Sequence, residues 1–278
     1  MAAHDTRKLK DFRGTLVLVG AGKMGCALLD GWLARGLNPK KVAVLEPQPS
    51  KQIKALGKRG LRLNPAGKLS EAAAIVVAVK PQTAPEVMPA LAPLIGKSTL
   101  VLSIMAGRPL QFLARALGPK AALVRAMPNT PAAIGRGITV ALANRNVSPR
   151  QRKLAGELLA AAGCVEWIQD EILMDAVTAV SGSGPAYVFL LVEALARAGV
   201  AAGLPAELAA VLARETIAGS GELLRRSPLD AATLRQNVTS SGGTTAAALD
   251  VLMGAGGLEA LMTKAIAAAT RRSRELAG

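Results

Sequence analysis

An α/β domain on a parallel, doubly wound sheet, followed by an all-α domain, is the fold class this sequence predicts, and three observations predict it. Short apolar runs of β type alternate with helical patterns through the first 168 residues. The first of them, residues 15–19, leads straight into Gly20-Ala21-Gly22-Lys23-Met24-Gly25 and then a helix with Leu28, Leu29, Trp32 and Leu33 on one face. From about Asp170 onward the β signal stops and every segment reads as helix. The division expected is therefore 1–168 and 169–278.

Strand, GxGxxG, helix is the context in which the glycine motif signifies a dinucleotide. The glycines permit the tight turn, the approach of a pyrophosphate and close packing of helix on strand. A second strand, residues 41–45, ends at Glu46, which lies 21 residues beyond Gly25, where a residue reading the adenosine ribose is expected. Pro49 and Ser50 open a helix through Leu56. Residues 75–79 form a third strand that stops at Lys80-Pro81, because the residue before proline is held extended. Residues 100–104 run into Met105-Ala106-Gly107, and 121–125 into Met127-Pro128-Asn129-Thr130-Pro131. A strand at 137–142, a helix near 150–161 and a short strand at 164–167 complete the domain.

In the second half, a helix over 170–180 ends at Ser181-Gly182-Ser183-Gly184-Pro185, where glycine terminates one helix and Ser183 and Pro185 suit the start of the next. That helix runs through Tyr187, Leu191 and Leu195 to about Ala202, and Pro205 opens another to about Arg226. Leu258, Leu261, Met262, Ala265, Ile266 and Ala269 stripe the last one. About 110 helical residues poor in large side chains make a weak core alone. Pairing with a second copy is the simplest remedy.

Composition excludes several kinds of chemistry. The sole histidine, His4, lies in a polar leading tail, so no His triad, His metal site or His relay is available. Cys26 and Cys164 read as small core residues without a disulfide framework. No apolar run is read as spanning a bilayer and the first residues lack a secretory pattern, so a cytoplasmic protein without a membrane partner is expected. The formal net charge of +15 is concentrated in residues 1–168, with 25 Lys/Arg against 8 Asp/Glu. These cations are scattered singly and not interleaved with aromatics, which favours a solvated face with some attraction for phosphate over a nucleic-acid groove. With few carboxylates in the first half, the chemistry must come mainly from a cofactor.

A second anion site is encoded at Asn237-Val-Thr-Ser-Ser-Gly-Gly-Thr-Thr. A loop turning through Gly242-Gly243 into a helix opened by Thr244 and Thr245 presents amides with no intrahelical acceptor, backed by the positive end of the helix dipole. The hydroxyls of Ser240, Thr244 and Thr245 suit that place to a carboxylate with a second polar feature beside it.

GAGKMG, VAVKPQ, RAMPNTPAAIGRG, DAVTAVSGSGPAYVF and NVTSSGGTTAAALDVL, in this order, resemble the pyrroline-5-carboxylate reductases, the enzymes that make L-proline. The likeness extends from Thr15 to Leu276. It implies an α/β Rossmann-type N-terminal domain and an all-α C-terminal dimerisation domain that interlocks with its twofold mate, the dimers often assembling into a decamer. It assigns Gly20, Gly22, Lys23, Met24 and Gly25 to the pyrophosphate of NADPH or NADH, and Lys80, Pro81 and Ala106 to the nicotinamide side, with Asn237 also approaching the cofactor. Ser240, Gly243 and Thr244 would hold the carboxylate of 1-pyrroline-5-carboxylate, and the hydroxyl of Thr245, as catalytic residue, would meet the imine nitrogen. No metal is required, and the two pockets are expected to face one another at the junction of the domains.

Two positions depart from the family. Ser241 stands where many relatives carry proline, and Glu46 stands where small polar residues are usual. A carboxylate there accepts from ribose hydroxyls and repels a 2′-phosphate, while Lys51 and Lys54 offset part of that repulsion, so both dinucleotides stay open. A β-hydroxyacid dehydrogenase is the nearest alternative, but the matching segment SGSGPAYVFLLVEAL lacks the lysine that family needs. A dinucleotide sensor or nucleic-acid-binding protein is the alternative outside catalysis, disfavoured by the scattered basic face and the second anion site.

Overall fold

The computed structural model describes residues 9–66, 69 and 72–277; His4 lies outside the described residues. Two compact units are formed, one running to Gly182 and resuming at Thr270, the other Ser183–Ala269.

The first unit holds eight strands: β1 Leu16–Val19, β2 Val42–Leu45, β3 Arg62–Leu63, β4 Ala74–Val77, β5 Leu100–Ser103, β6 Ala122–Met127, β7 Gly137–Ala143 and β8 Gly163–Trp167. Its helices are α1 Lys23–Ala34, α2 Lys51–Gly57, α3 Ala84–Val87, α4 Leu110–Leu117, α5 Pro149–Leu159 and α6 Met174–Val177. The spatial order of the strands is β3-β2-β1-β4-β5-β6-β7-β8. The order therefore reverses between β1 and β4, the place where ligands bind beyond the carboxyl ends of the strands.

Successive residues of β1 serve opposite faces. Leu16 and Leu18 pack with Trp32 and Leu28 of α1, Ile53 of α2 and Leu158 of α5. Val17 and Val19 pack with Ala84 of α3, with Met88 and Leu91 of the following 3-10 turn and with Leu113 of α4. Both faces are covered, which is why these strands read as unbroken apolar runs and not as alternation. The Trp32 indole N–H donates to the Leu158 carbonyl at 2.8 Å, giving a partner to a carbonyl that the end of α5 leaves without one.

One strand departs from the all-parallel expectation: β7 runs antiparallel to β6. Only a short 3-10 turn, Thr130–Ile134, lies between them, too little chain for a crossover helix. Cys164, expected in the core, is exposed on β8, whereas Cys26 is half-buried.

The second unit contains α7 Gly184–Ala201, α8 Ala206–Arg226, α9 Ala231–Asn237, α10 Thr244–Leu252 and the first part of α11 Leu258–Ala277. Helices α7 and α8 approach closely through small residues, and a Cβ on Gly199 would meet the Ala209 Cβ at 3.3 Å. Among the described apolar residues of this unit only Ala209 and Ala213 are fully buried, while Phe189, Leu190, Val211, Leu223, Val251 and Leu261 are exposed. So much bare apolar surface marks an interaction face.

The reading that no apolar run could span a bilayer is corrected here. The stretch Glu171–Ala201 is long and apolar enough to do so by length and composition alone. The Ser-Gly-Ser-Gly-Pro segment ends one helical stretch and opens the next as expected: a π-helical turn at Thr178–Gly182 stops there, Ser183 is the N-cap of α7, and Pro185 lies in its first turn, where its missing N–H costs little.

Candidate functional site

At the carboxyl end of β1 the chain turns at Gly20, whose φ of +88° favours glycine. Its N–H donates to Leu45 O at 2.9 Å, and Ala78 N–H donates to Val19 O at 2.7 Å, so the turn is stitched between β2 and β4. A Cβ on Gly25 would lie 2.3 Å from Gly20 O, which means α1 packs against the turn at a distance only glycine permits. Gly22 differs: nothing lies within 4 Å of where its Cβ would be.

Gly22 is the N-cap of α1 and no side chain caps it. Cys26 is the first residue of this turn whose N–H finds an acceptor, Gly22 O at 2.8 Å. The amides of Lys23, Met24 and Gly25 thus begin a helix over open space, with the Lys23 side chain exposed beside them. Free amides, a positive dipole end, a cation and room for a ligand fit a diphosphate.

Glu46, just past β2, is drawn into the same loop. One carboxylate oxygen accepts from Ala21 N–H at 2.7 Å and the other from Gln48 N–H at 3.0 Å. Asn64 fixes the backbone beneath it, accepting from Glu46 N–H at 2.8 Å and donating to Glu46 O at 2.8 Å. Asn64 has a φ of +40°, and asparagine tolerates that region better than most residues. Burial, then Asp30, then Glu46 push the nearby Cys26 thiol above its ordinary value.

Lys80 and Pro81 leave β4 on this side of the sheet, and Ala106 leaves β5. The Lys80 carbonyl accepts from the N–H and the hydroxyl of Thr83 at 3.0 and 2.9 Å. Arg108 donates through Nε and Nη2 to Pro81 O at 3.1 and 2.9 Å while stacking over Phe112. Arg108 therefore ties the β4 loop to the β5 loop. Neither Asn64 nor Arg108 was singled out from sequence; the only signals were an Asn-Pro pair and a lone basic residue after Gly107.

In the second unit the predicted loop forms a tight turn. Gly243 N–H donates to Ser240 O at 3.1 Å, and Gly242 has a φ of +68°. Ser241 thus occupies the second position of a turn whose third requires positive φ, the position proline favours in type II turns. Gly243 caps α10 without a side-chain hydrogen bond, and the first amide beyond it with an acceptor is Ala247 N–H, to Gly243 O at 3.2 Å. The amides of Thr244 and Thr245 therefore face outward at the positive end of a helix. A Cβ on Gly243 would fall 2.5 Å from Ser240 Oγ, which places that hydroxyl against the turn. Thr245 is half-buried, and Asn237 is exposed at the end of α9. Each unit thus gathers its own predicted residues: Gly20 to Gly25, Glu46, Lys80, Pro81 and Ala106 in the first, Asn237 and Ser240 to Thr245 in the second.

Residues 171–276 match the family model for pyrroline-5-carboxylate reductase dimerisation, and residues 15–107 match that described as NADP oxidoreductase coenzyme F420-dependent. The pyrroline-5-carboxylate reductase of Pseudomonas aeruginosa is 40% identical, over 94% of this chain and 96% of its own. That of Synechocystis is 41% identical, over 94% and 97%. Among solved structures, the Coxiella burnetii reductase is similar with a TM-score of 0.88 at 34% identity, covering 95% of this chain and 98% of its own. The Plasmodium falciparum enzyme, solved with NADP bound, has a TM-score of 0.78 at 31% identity, over 96% and 99%. Likeness at this level over nearly the whole chain means that the chain belongs to the pyrroline-5-carboxylate reductase family.

Proposed function

We propose that the chain reduces 1-pyrroline-5-carboxylate to L-proline with Thr245 and the Gly243–Thr244 turn as its substrate machinery. The observation that carries this reading is the start of α10, where uncapped amides and three hydroxyls stand ready for a carboxylate and its neighbouring nitrogen. Residues 1–168 serve the dinucleotide and 169–278 serve substrate binding and dimerisation.

The reduced dinucleotide, when bound, supplies a hydride to the ring carbon of the C=N bond. The chain's residues do the rest. Amides at Lys23, Met24 and Gly25, with the Lys23 ammonium, hold the diphosphate, and Lys80, Pro81, Ala106 and Asn237 fix the nicotinamide end. Ser240, Gly243 and Thr244 hold the substrate carboxylate, which presents one ring face. The imine reacts with a proton from water already on its nitrogen; the new C–H bond takes the hydride pair, and the π pair of the C=N bond passes to that nitrogen, leaving the secondary amine of proline. Thr245 steadies that nitrogen by hydrogen bonding, making the ring carbon a better acceptor.

The exposed apolar residues of the second unit and its match to a dimerisation family agree with an oligomer. Its finer form in this proposal is an intertwined dimer, with dimers assembled into a decamer, working in the cytoplasm without nucleic-acid or membrane partners.

Oxidation of NADH and NADPH followed with 1-pyrroline-5-carboxylate tests the assignment. Thr245→Ala lowers kcat about 100- to 1,000-fold, the range for one hydrogen-bonding group acting at a developing charge. Gly243→Val, whose side chain collides with Ser240, abolishes turnover. Full activity in both variants would refute the site.

A further inference from the structure

We infer that Glu46 makes this reductase select NADH over NADPH, by holding a fixed carboxylate where the ribose nearest the adenine is read. This rests on the dinucleotide reading of the glycine loop and goes beyond it, since that reading accommodates either cofactor.

The amides of Ala21 and Gln48 converge on one place, and the Glu46 carboxylate fills it, with contacts of 2.7 and 3.0 Å. Both of its oxygens are engaged, so the charge is fixed and not free to swing into water. The residue sits at the end of β2, beside the glycine loop, where the ribose nearest the adenine is read in this kind of fold. A carboxylate there accepts hydrogen bonds from two ribose hydroxyls. A 2′-phosphate meets a like charge, and the amides of Ala21 and Gln48 are already engaged by that carboxylate.

The backbone that carries Glu46 is fixed as well. Asn64, in the left-handed region, exchanges two hydrogen bonds with its main chain, so Asn64 is a positioning residue. Asp30 adds a second negative charge to this corner, held by Gln52 at 2.9 Å to each carboxylate oxygen. The Cys26 thiol beside this corner is pushed up first by burial and then by the charges of Asp30 and Glu46. Lys51 and Lys54 on α2 are exposed, and among the described residues neither makes an ion pair with Glu46. Their screened charge does not cancel a fixed carboxylate.

The test is equilibrium binding of NADH and of NADPH to the full-length protein by calorimetry, beside kcat and KM for each. The wild-type protein is expected to bind NADH at least about tenfold more tightly than NADPH, as a ribose-reading carboxylate dictates. Glu46→Ser is expected to raise NADPH affinity about tenfold or more and weaken NADH severalfold, reversing the order. Asn64→Ala narrows the ratio through KM while kcat stays near wild type, which a merely destabilised protein would not show. Equal affinities in the wild type, or a ratio unmoved by Glu46→Ser, overturn the selection. Binding of neither dinucleotide overturns the reductase reading and this inference together.

Discussion

Alanine at Gly22 and at Gly25 separates the two services that glycines perform in one loop. At Gly25 the added Cβ would stand 2.3 Å from Gly20 O and 3.2 Å from Gly20 C, so α1 must retreat by about 1 Å to reach ordinary contact. That helix carries the buried Leu28, Leu29 and Trp32, whose packing moves with it. Overpacking costs about 1–3 kcal/mol, and helix propensity returns up to about 1 kcal/mol. The net loss is about 1–2 kcal/mol, or about 2–8 °C in a unit of this size. At Gly22 the backbone is already extended and no atom lies within 4 Å, so the folded chain loses at most about 1 kcal/mol from its N-cap. The added methyl instead enters the open space that the proposed function gives to the diphosphate. Overpacking there weakens dinucleotide binding about 10- to 100-fold. Thermal unfolding and calorimetric titration of both variants distinguish the effects. Wild-type dinucleotide affinity in Gly22→Ala would refute the placement of the pyrophosphate.

Three further outcomes follow from local geometry. Glu171 accepts from Arg125 and from Leu110 N–H, both at 2.8 Å, and Arg125 is only 5% exposed. Glu171→Ala leaves a buried guanidinium unpaired and costs about 2–4 kcal/mol in denaturant unfolding, discounted for the partial exposure of Glu171; a loss below 1 kcal/mol would contradict the pairing. Ser241→Pro presets the turn before Gly242 and raises stability by about 0.4–1 kcal/mol, with a lower KM for the imine; lower stability would mean that the turn is not of the proline-compatible type. Asp230, N-cap of α9, is held below the usual carboxylate range mainly by the Thr233 amide. A lowered folded-state value stabilises above the ordinary one and the benefit fades as pH falls through the folded value, so Asp230→Asn flattens the acid limb of the stability profile. An unchanged acid limb would count against the cap.

The fold was largely legible because most of the buried strands are short apolar runs soon followed by a glycine or proline. Leu16 to Val19 before Gly20, and Ala74 to Val77 before Lys80-Pro81, show this most clearly. The direction of β7 was not read, although the short link through Pro131 already excluded a crossover. Arg62 and Leu63 form too short a strand to register as a pattern. The break at Ser181 to Pro185 was legible because glycine and proline signal termini; only the π turn that closes the first stretch left no pattern in the sequence. Cys164 was misplaced because residue type alone does not show which strand stands at the sheet edge. Of the candidate site, the residues in glycine turns were readable from local backbone demands. Asn64 and Arg108 were not, because their roles arise from hydrogen bonds to residues 18 and 27 positions away.

The most direct measurement follows the hydride itself. Reduced dinucleotide carrying deuterium at the transferable position of the nicotinamide is incubated with the protein and 1-pyrroline-5-carboxylate, and the product is examined by mass spectrometry and NMR. Direct transfer predicts L-proline with a single deuterium on the carbon that was doubly bonded to nitrogen. Unlabelled proline, or no proline while dinucleotide is consumed, would contradict it.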